Sequence, residues 1–218
     1  VIQYNGRGGL DRSGETFALN ESFCDIMGAA IEHSIFPGAR NWTFSEKTFL
    51  STAPAGTVPF TRSLIDPKAA GDANTYFGTN WDFTGSNPYA NTGVQNRWFY
   101  LLSEGGTGNI DDNIQSPIYE VPSIGISLAE KIAFDNFISL LPTNATFNDS
   151  YLLSLQAASM NGHPNPSNVF RAVREAWFAV GVAKQPTISG FSPTSGPEAT
   201  TVTIQGTDFT GISFVGFN

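Results

Sequence analysis

The sequence predicts a mainly α-helical fold of about five helices with long loops, followed by a short β segment. Three observations carry this. Apolar residues recur at spacings of three and four in five separate stretches, Gly and Pro stand at the edges of those stretches, and the period changes to two after Lys184. With 218 residues and 40% hydrophobic side chains, the chain has material for a substantial core.

The five periodic stretches are Phe17 to Ile31, Val94 to Leu102, Leu128 to Leu141, Tyr151 to Met160 and Val169 to Val180. Gly93 and Pro166 lie near starts, while Gly105-Gly106 and Gly181 follow ends, as helix punctuation requires. Residues 34–92 separate the first two helices and are rich in Asn, Gly, Thr, Pro and aromatics. A loop segment of that length points to function or to ligand binding. Beyond Lys184, Thr187, Ser189 and Phe191 alternate, and Thr201-Val202-Thr203-Ile204 is β-branched, with Pro193-Thr194-Ser195-Gly196-Pro197 as a turn between them. This opens a β-sandwich, but the residues present fall well short of the ~100 that a sandwich needs, so the module is expected to be truncated. The expected division is a helical lobe over 1–183 and a β module over 184–218.

Eleven basic side chains face nineteen acidic ones, a net charge of −8, which excludes nucleic acid as a partner because phosphate binding needs concentrated basic surface. Charged residues make up only 14% of the chain, against roughly 25% in ordinary domains, a balance common among secreted proteins. The one cysteine, Cys24, excludes an internal disulfide or a cysteine zinc cage, and two histidines are too few for a His-rich metal site. No stretch reaches the roughly 18 apolar residues of a membrane span. Neither an initiator Met nor a signal peptide stands at Val1, so further sequence is expected upstream.

On the first helix Glu21, Asp25 and Glu32 fall within about 40° of one another, with Gly28 on the same stripe. Phe23, Ile26, Met27, Ala29, Ala30 and Ile31 surround them, which suggests a helix buried on most sides. Carboxylates in such surroundings must be paired, hydrogen-bonded or metal-bound. Spacing alone leaves a solvent-facing acidic stripe equally open.

Gly14-Glu15-Thr16-Phe17-Ala18-Leu19-Asn20-Glu21-Ser22-Phe23-Cys24-Asp25-Ile26 resembles the segment of thermolysin-like zinc metallopeptidases that follows the H-E-x-x-H helix and reads G-A-L-N-E-S-x-S-D-I. The resemblance implies that Glu21 is the third zinc ligand and that Asp25 orients a zinc-binding His. Thr61-Arg62-Ser63-Leu64-Ile65-Asp66-Pro67 resembles the family's L-R-S-x-x-D-P, which makes Arg62 the residue that binds the substrate carbonyl and Asp66 a residue that helps hold it. Asn91 to Gly106 resembles the family stretch H-x-N-S-G-x-x-N-x-x-x-Y-L-x-S-x-G-G, and Ala176 to Val182 its closing A-W-x-A-V-G-V.

The resemblance covers residues 1 to about 183. It implies the C-terminal lobe of a secreted bacterial zinc metalloendopeptidase that hydrolyses peptide bonds by metal-activated water. The chain holds no H-E-x-x-H, so the missing N-terminal lobe is an expected partner and the chain is expected to be inactive by itself. Two departures stand out. Tyr89 occupies the place of a family His that donates a hydrogen bond to the tetrahedral intermediate, and Tyr4 resembles a second donor of that kind. Glu32 and Glu46 resemble calcium ligands, yet Asn41-Trp42-Thr43 replaces two further calcium carboxylates by an amide and a hydroxyl, which lowers the expected Ca2+ affinity. Pro186 to Phe209 resembles the start of an IPT/TIG immunoglobulin-like module, an extracellular spacer or binding domain. The competing expectation, from another class, is a non-catalytic extracellular binding or scaffold protein derived from the peptidase fold.

Overall fold

The computed structural model describes residues 9–36, 38, 41–45 and 60–209. The chain divides into two compact units, Val1–Ala183 and Lys184–Asn218. Among the described residues no helix is long and apolar enough to cross a membrane.

Five α-helices build the first unit: α1 (Gly14–Ile35), α2 (Gly93–Glu104), α3 (Ile126–Asp135), α4 (Phe147–Met160) and α5 (Asn168–Ala179). Helix α1 buries Ala18, Leu19, Ser22, Phe23, Ile26, Ala29, Ala30 and His33, a stripe at spacings of three and four. The expectation that α1 is buried on most sides is corrected by Ile31 and Ile35, both more than half exposed. The covered stripe faces α2, α3, α4 and the turn Ala90–Thr92. The helix ends at Phe36, whose N–H reaches the Glu32 carbonyl, one residue before Pro37.

Helix α2 packs against α1, α3 and α5. At the centre of the unit Trp98 of α2 stacks on Trp177 of α5 with ring centroids 4.8 Å apart, both fully buried. Trp177 Nε1 donates to Ser154 Oγ at 2.8 Å, which settles the indole's polar edge inside the core. Phe23 of α1 stacks on Phe137 at 3.9 Å. Burying each such ring contributes about 2–3 kcal/mol.

The third periodic stretch does not stay α-helical to Leu141. Asn136–Leu140 form a π turn, and the buried Asn136 donates through Nδ2 to the carbonyl and hydroxyl of Ser150. Helix α4 starts one turn earlier than Tyr151, because Thr146 and Asp149 form a reciprocal capping box. Glu15, in the first turn of α1, accepts from the Phe147 N–H at 2.7 Å and from the Tyr76 hydroxyl at 2.6 Å, tying α1 to the start of α4 and to the long loop.

Two small antiparallel ladders trim the helices. Strand β1 (Thr43–Phe44) pairs with β2 (Arg62–Ser63), and β3 (Gly106–Asn109) pairs with β4 (Ile118–Val121). In the second unit β5 (Thr187–Ser192) pairs antiparallel with β6 (Thr203–Thr207), with a register shift between Ile188 and Gly190. This architecture is a mainly helical fold with few and short strands.

Candidate active site

Phe44 of β1 lies over Gly28 of α1: a Cβ on Gly28 would already meet the Phe44 ring at 3.4 Å. The bare backbone therefore lets β1 settle on the helix, and the pairing Phe44↔Arg62 carries Arg62 with it. One helical turn before Gly28 stands Asp25. Arg62 Nη1 donates to both Asp25 oxygens, at 2.7 and 2.8 Å. Asn96 of α2 donates to Asp25 Oδ2 at 2.8 Å, and its own Oδ1 accepts from Ser22 Oγ at 2.8 Å. Asp25 is thus clamped from the loop on one side and from α2 on the other.

Glu21 is half-buried one turn before Asp25. Its Oε1 accepts from Asn20 Nδ2 at 3.2 Å, while Oε2 has no hydrogen-bond partner among the described residues. Asp72 is a third carboxylate of the cluster. Arg62 feels Asp25, Asp72 and Glu21, and although burial works against its charge, these acids keep its pKa above the ordinary value. Burial pushes the Asp72 carboxyl up to about 7, with Asp25 adding repulsion and Arg62 offsetting part of it. Burial likewise raises Asp25, against the opposing pull of Arg62 and Asn96. Burial also raises the Cys24 thiol, which disfavours a thiolate nucleophile there.

Tyr89 caps the short 3-10 helix Ala90–Thr92, and its carbonyl accepts from the Thr92 hydroxyl at 2.7 Å. Its ring is 46% exposed, with the Arg62 guanidinium carbon 5.5 Å from the ring centroid and Phe17 edge-on at 5.0 Å. Glu21, Asp25, Arg62 and Tyr89 therefore belong to one neighbourhood.

Asp66 does not hold Arg62. It is exposed at the head of the 3-10 helix Pro67–Ala70, where its N–H donates to Ser63 Oγ, and Asp25 is the acid that engages the guanidinium. Glu32 lies half-buried in the last turns of α1. Asn41 Oδ1 accepts from the Thr43 N–H at 3.3 Å. Glu46 and Tyr4 lie outside the described residues.

Two members of the cluster were missed from sequence, Asp72 and Asn96. Asn96 carried a signal, being an amide within the Asn91 to Gly106 stretch at a position the resembling motif also fills with Asn. Asp72 carried none, since its placement depends on the loop. Gly93 brings that loop close to α2: a Cβ there would collide with the Ala73 carbonyl and approach the Asp72 Cβ to 3.1 Å.

Zinc fits this cluster only as a contributed wall. Three carboxylates around one guanidinium leave surplus negative charge, and Glu21 has an oxygen to give. Among the described residues, however, no group of three or more His, Cys, Asp or Glu is arranged to hold a metal.

Comparison with known proteins identifies the family of the helical unit. The model of the thermolysin metallopeptidase alpha-helical domain matches residues 8–182. Neutral protease B of Bacillus subtilis (strain 168) is 29% identical over 186 residues, covering 84% of this chain and 30% of the relative. A zinc metalloproteinase of Renibacterium salmoninarum is 32% identical over 114 residues, 46% of this chain and 19% of the relative. Thermolysin of Alicyclobacillus acidocaldarius subsp. acidocaldarius is 28% identical over 180 residues, 80% and 30% respectively. The chain spans less than a third of the length of these relatives. It belongs to the thermolysin metallopeptidase family and carries that family's alpha-helical domain.

Proposed function

We propose that the protein is a zinc-dependent metalloendopeptidase, secreted by a bacterium, in which this chain forms one wall of the active site. The observation that carries the proposal is the half-buried Glu21 carboxylate, whose Oε2 has no hydrogen-bond partner among the described residues, one turn from an Asp25 clamped by Arg62 and Asn96. The two His ligands and the general-base Glu of an H-E-x-x-H helix are not in this sequence, and we assign them to an N-terminal lobe. By itself the chain supplies one zinc ligand and is inactive.

Zinc, when bound, supplies Lewis acidity toward the scissile carbonyl and lowers the pKa of a water. Glu21 gives the metal cage an anionic oxygen. Asp25 Oδ1 accepts a single bond, so it retains a lone pair to fix the tautomer of an incoming imidazole. Arg62 uses only Nη1 on Asp25, and its remaining donors are available to orient the substrate carbonyl. Tyr89 donates its phenolic proton to the oxygen on which charge develops. A phenol carries no positive charge, so the pH profile lacks the imidazolium limb that the family His would give.

Calcium is proposed at one weak site through Glu32 and Glu46, with Asn41 and Thr43 as poor substitutes for carboxylates. Residues 184–218 are proposed as the beginning of an IPT/TIG-like module.

The test is casein hydrolysis by the whole protein. Glu21→Gln is expected to lower kcat/KM by about 1000-fold or more, and Tyr89→Phe by about 10- to 100-fold, with the unfolding midpoint preserved in both. Undiminished hydrolysis by Glu21→Gln removes Glu21 from the mechanism.

A further inference from the structure

Ser22 and Asn96 form a hydrogen-bonded bridge between α1 and α2 behind Asp25. Ser22 is fully buried and Asn96 is 1% exposed. Ser22 Oγ donates to Asn96 Oδ1 at 2.8 Å, and Asn96 Nδ2 donates to Asp25 Oδ2, also at 2.8 Å. Ser22 stands three residues before Asp25 on α1, so one face of that helix presents both side chains to the same amide of α2.

The bridge has a fixed polarity. A side-chain amide has one accepting and one donating end, and turned over it would set its oxygen against a carboxylate oxygen with no hydrogen between them. A hydroxyl serves as donor or acceptor, so Ser22 conforms and gives its proton to Asn96. Both partners are sealed in the helix interface, where breaking either bond leaves a buried polar group unpaired.

Arg62 and Asn96 act differently on Asp25. Arg62 Nη1 bridges the two carboxylate oxygens and does not distinguish between them. Asn96 touches Oδ2 alone. That oxygen therefore accepts two bonds, one for each lone pair, while Oδ1 accepts one. Asn96 is the group that makes the two ends of Asp25 unequal.

Resting on the peptidase reading, we propose that Asn96 and Ser22 are positioning residues for the metal cage: Asn96 fills Oδ2, so that Asp25 receives the N–H of a zinc-binding imidazole at Oδ1 only, and Ser22 holds the Asn96 amide in the orientation that does this. An imidazole whose N–H is fixed at one oxygen presents its other nitrogen to the metal in one tautomer and one direction. Neither Asn96 nor Ser22 ligates the metal.

The whole protein is compared as wild type, Ser22→Ala, Asn96→Leu and the double variant, by zinc affinity in chelator competition. Leu keeps the branched shape of Asn without its polar atoms, and Asn96→Ala takes its place should the leucine variant not fold. Asn96→Leu is expected to weaken zinc binding about tenfold and Ser22→Ala about threefold. Because Ser22 acts only through Asn96, the double variant is expected within about twofold of Asn96→Leu. The visible absorption bands of the cobalt-loaded protein follow ligand geometry, and both single variants are expected to shift them.

Losses that multiply in the double variant overturn the proposal. So do variants that lose stability in urea yet bind zinc as tightly as the wild type, since these mark a structural bridge and nothing more. Both outcomes require a wild type that binds zinc, and they leave the peptidase reading standing. A wild type that binds no zinc removes the peptidase reading and this proposal together.

Discussion

A single nitrogen of Arg62 reaches both carboxylate oxygens of Asp25, at 2.7 and 2.8 Å, across 37 residues of sequence. The contact needs a positive charge and one donor group rather than a guanidinium fork. Arg62→Ala leaves Asp25, only 12% exposed, without its cation. It is expected to lower the unfolding free energy by about 2 kcal/mol, less than the about 3–5 kcal/mol of a fully buried pair because the Arg62 side chain is itself a quarter exposed. Arg62→Lys is expected to stay within about 1 kcal/mol of wild type in urea unfolding. Equal losses for Ala and Lys would show that fork geometry, not charge, holds Asp25.

Asp72 makes stability depend on pH. Its pKa is about 7 in the folded chain against an ordinary 3.8, so between those values the folded state holds a proton that the unfolded state has released. Stability therefore falls as pH rises through this window. Asp72→Asn keeps the position neutral, so it is expected to be more stable than wild type above pH 7, with the difference vanishing below about pH 4. A difference that does not vary with pH would contradict this environment for Asp72.

Gly93 is needed for close approach. A methyl group there would strike the Ala73 carbonyl and stand 2.7 Å from the Pro67 Cβ, so Gly93→Ala is expected to cost about 2–3 kcal/mol despite the better helix propensity of Ala. Thermal unfolding measures the loss. Stabilisation would mean that the loop over Pro67–Ala73 shifts freely.

Ser154→Ala is expected to destabilise by about 1–2 kcal/mol, because Trp177 Nε1 would be left buried and unpaired. Denaturant midpoints check this, and no change would indicate that water replaces the hydroxyl.

The five helices were legible because each must turn one apolar stripe inward, and a period near 3.6 survives in Leu19, Phe23 and Ile26 as in Phe170, Val173 and Trp177. The π turn at Asn136 was not legible, since it answers to Ser150 on another helix. Glu21 and Asp25 could be placed on one face from spacing alone. Their environment could not be read, because the clamp on Asp25 joins three elements distant in sequence, and the role of Asp66 rested only on the resemblance of Thr61 to Pro67 to L-R-S-x-x-D-P.

The most direct test of the account is the zinc affinity of the whole protein, measured by chelator competition for wild type and Glu21→Gln. Loss of a direct ligand is expected to weaken zinc binding by more than the about 10- to 100-fold that loss of an outer partner costs, with an unchanged unfolding midpoint for the metal-free protein. Equal zinc affinity in the two proteins would contradict the assignment of Glu21 to the metal.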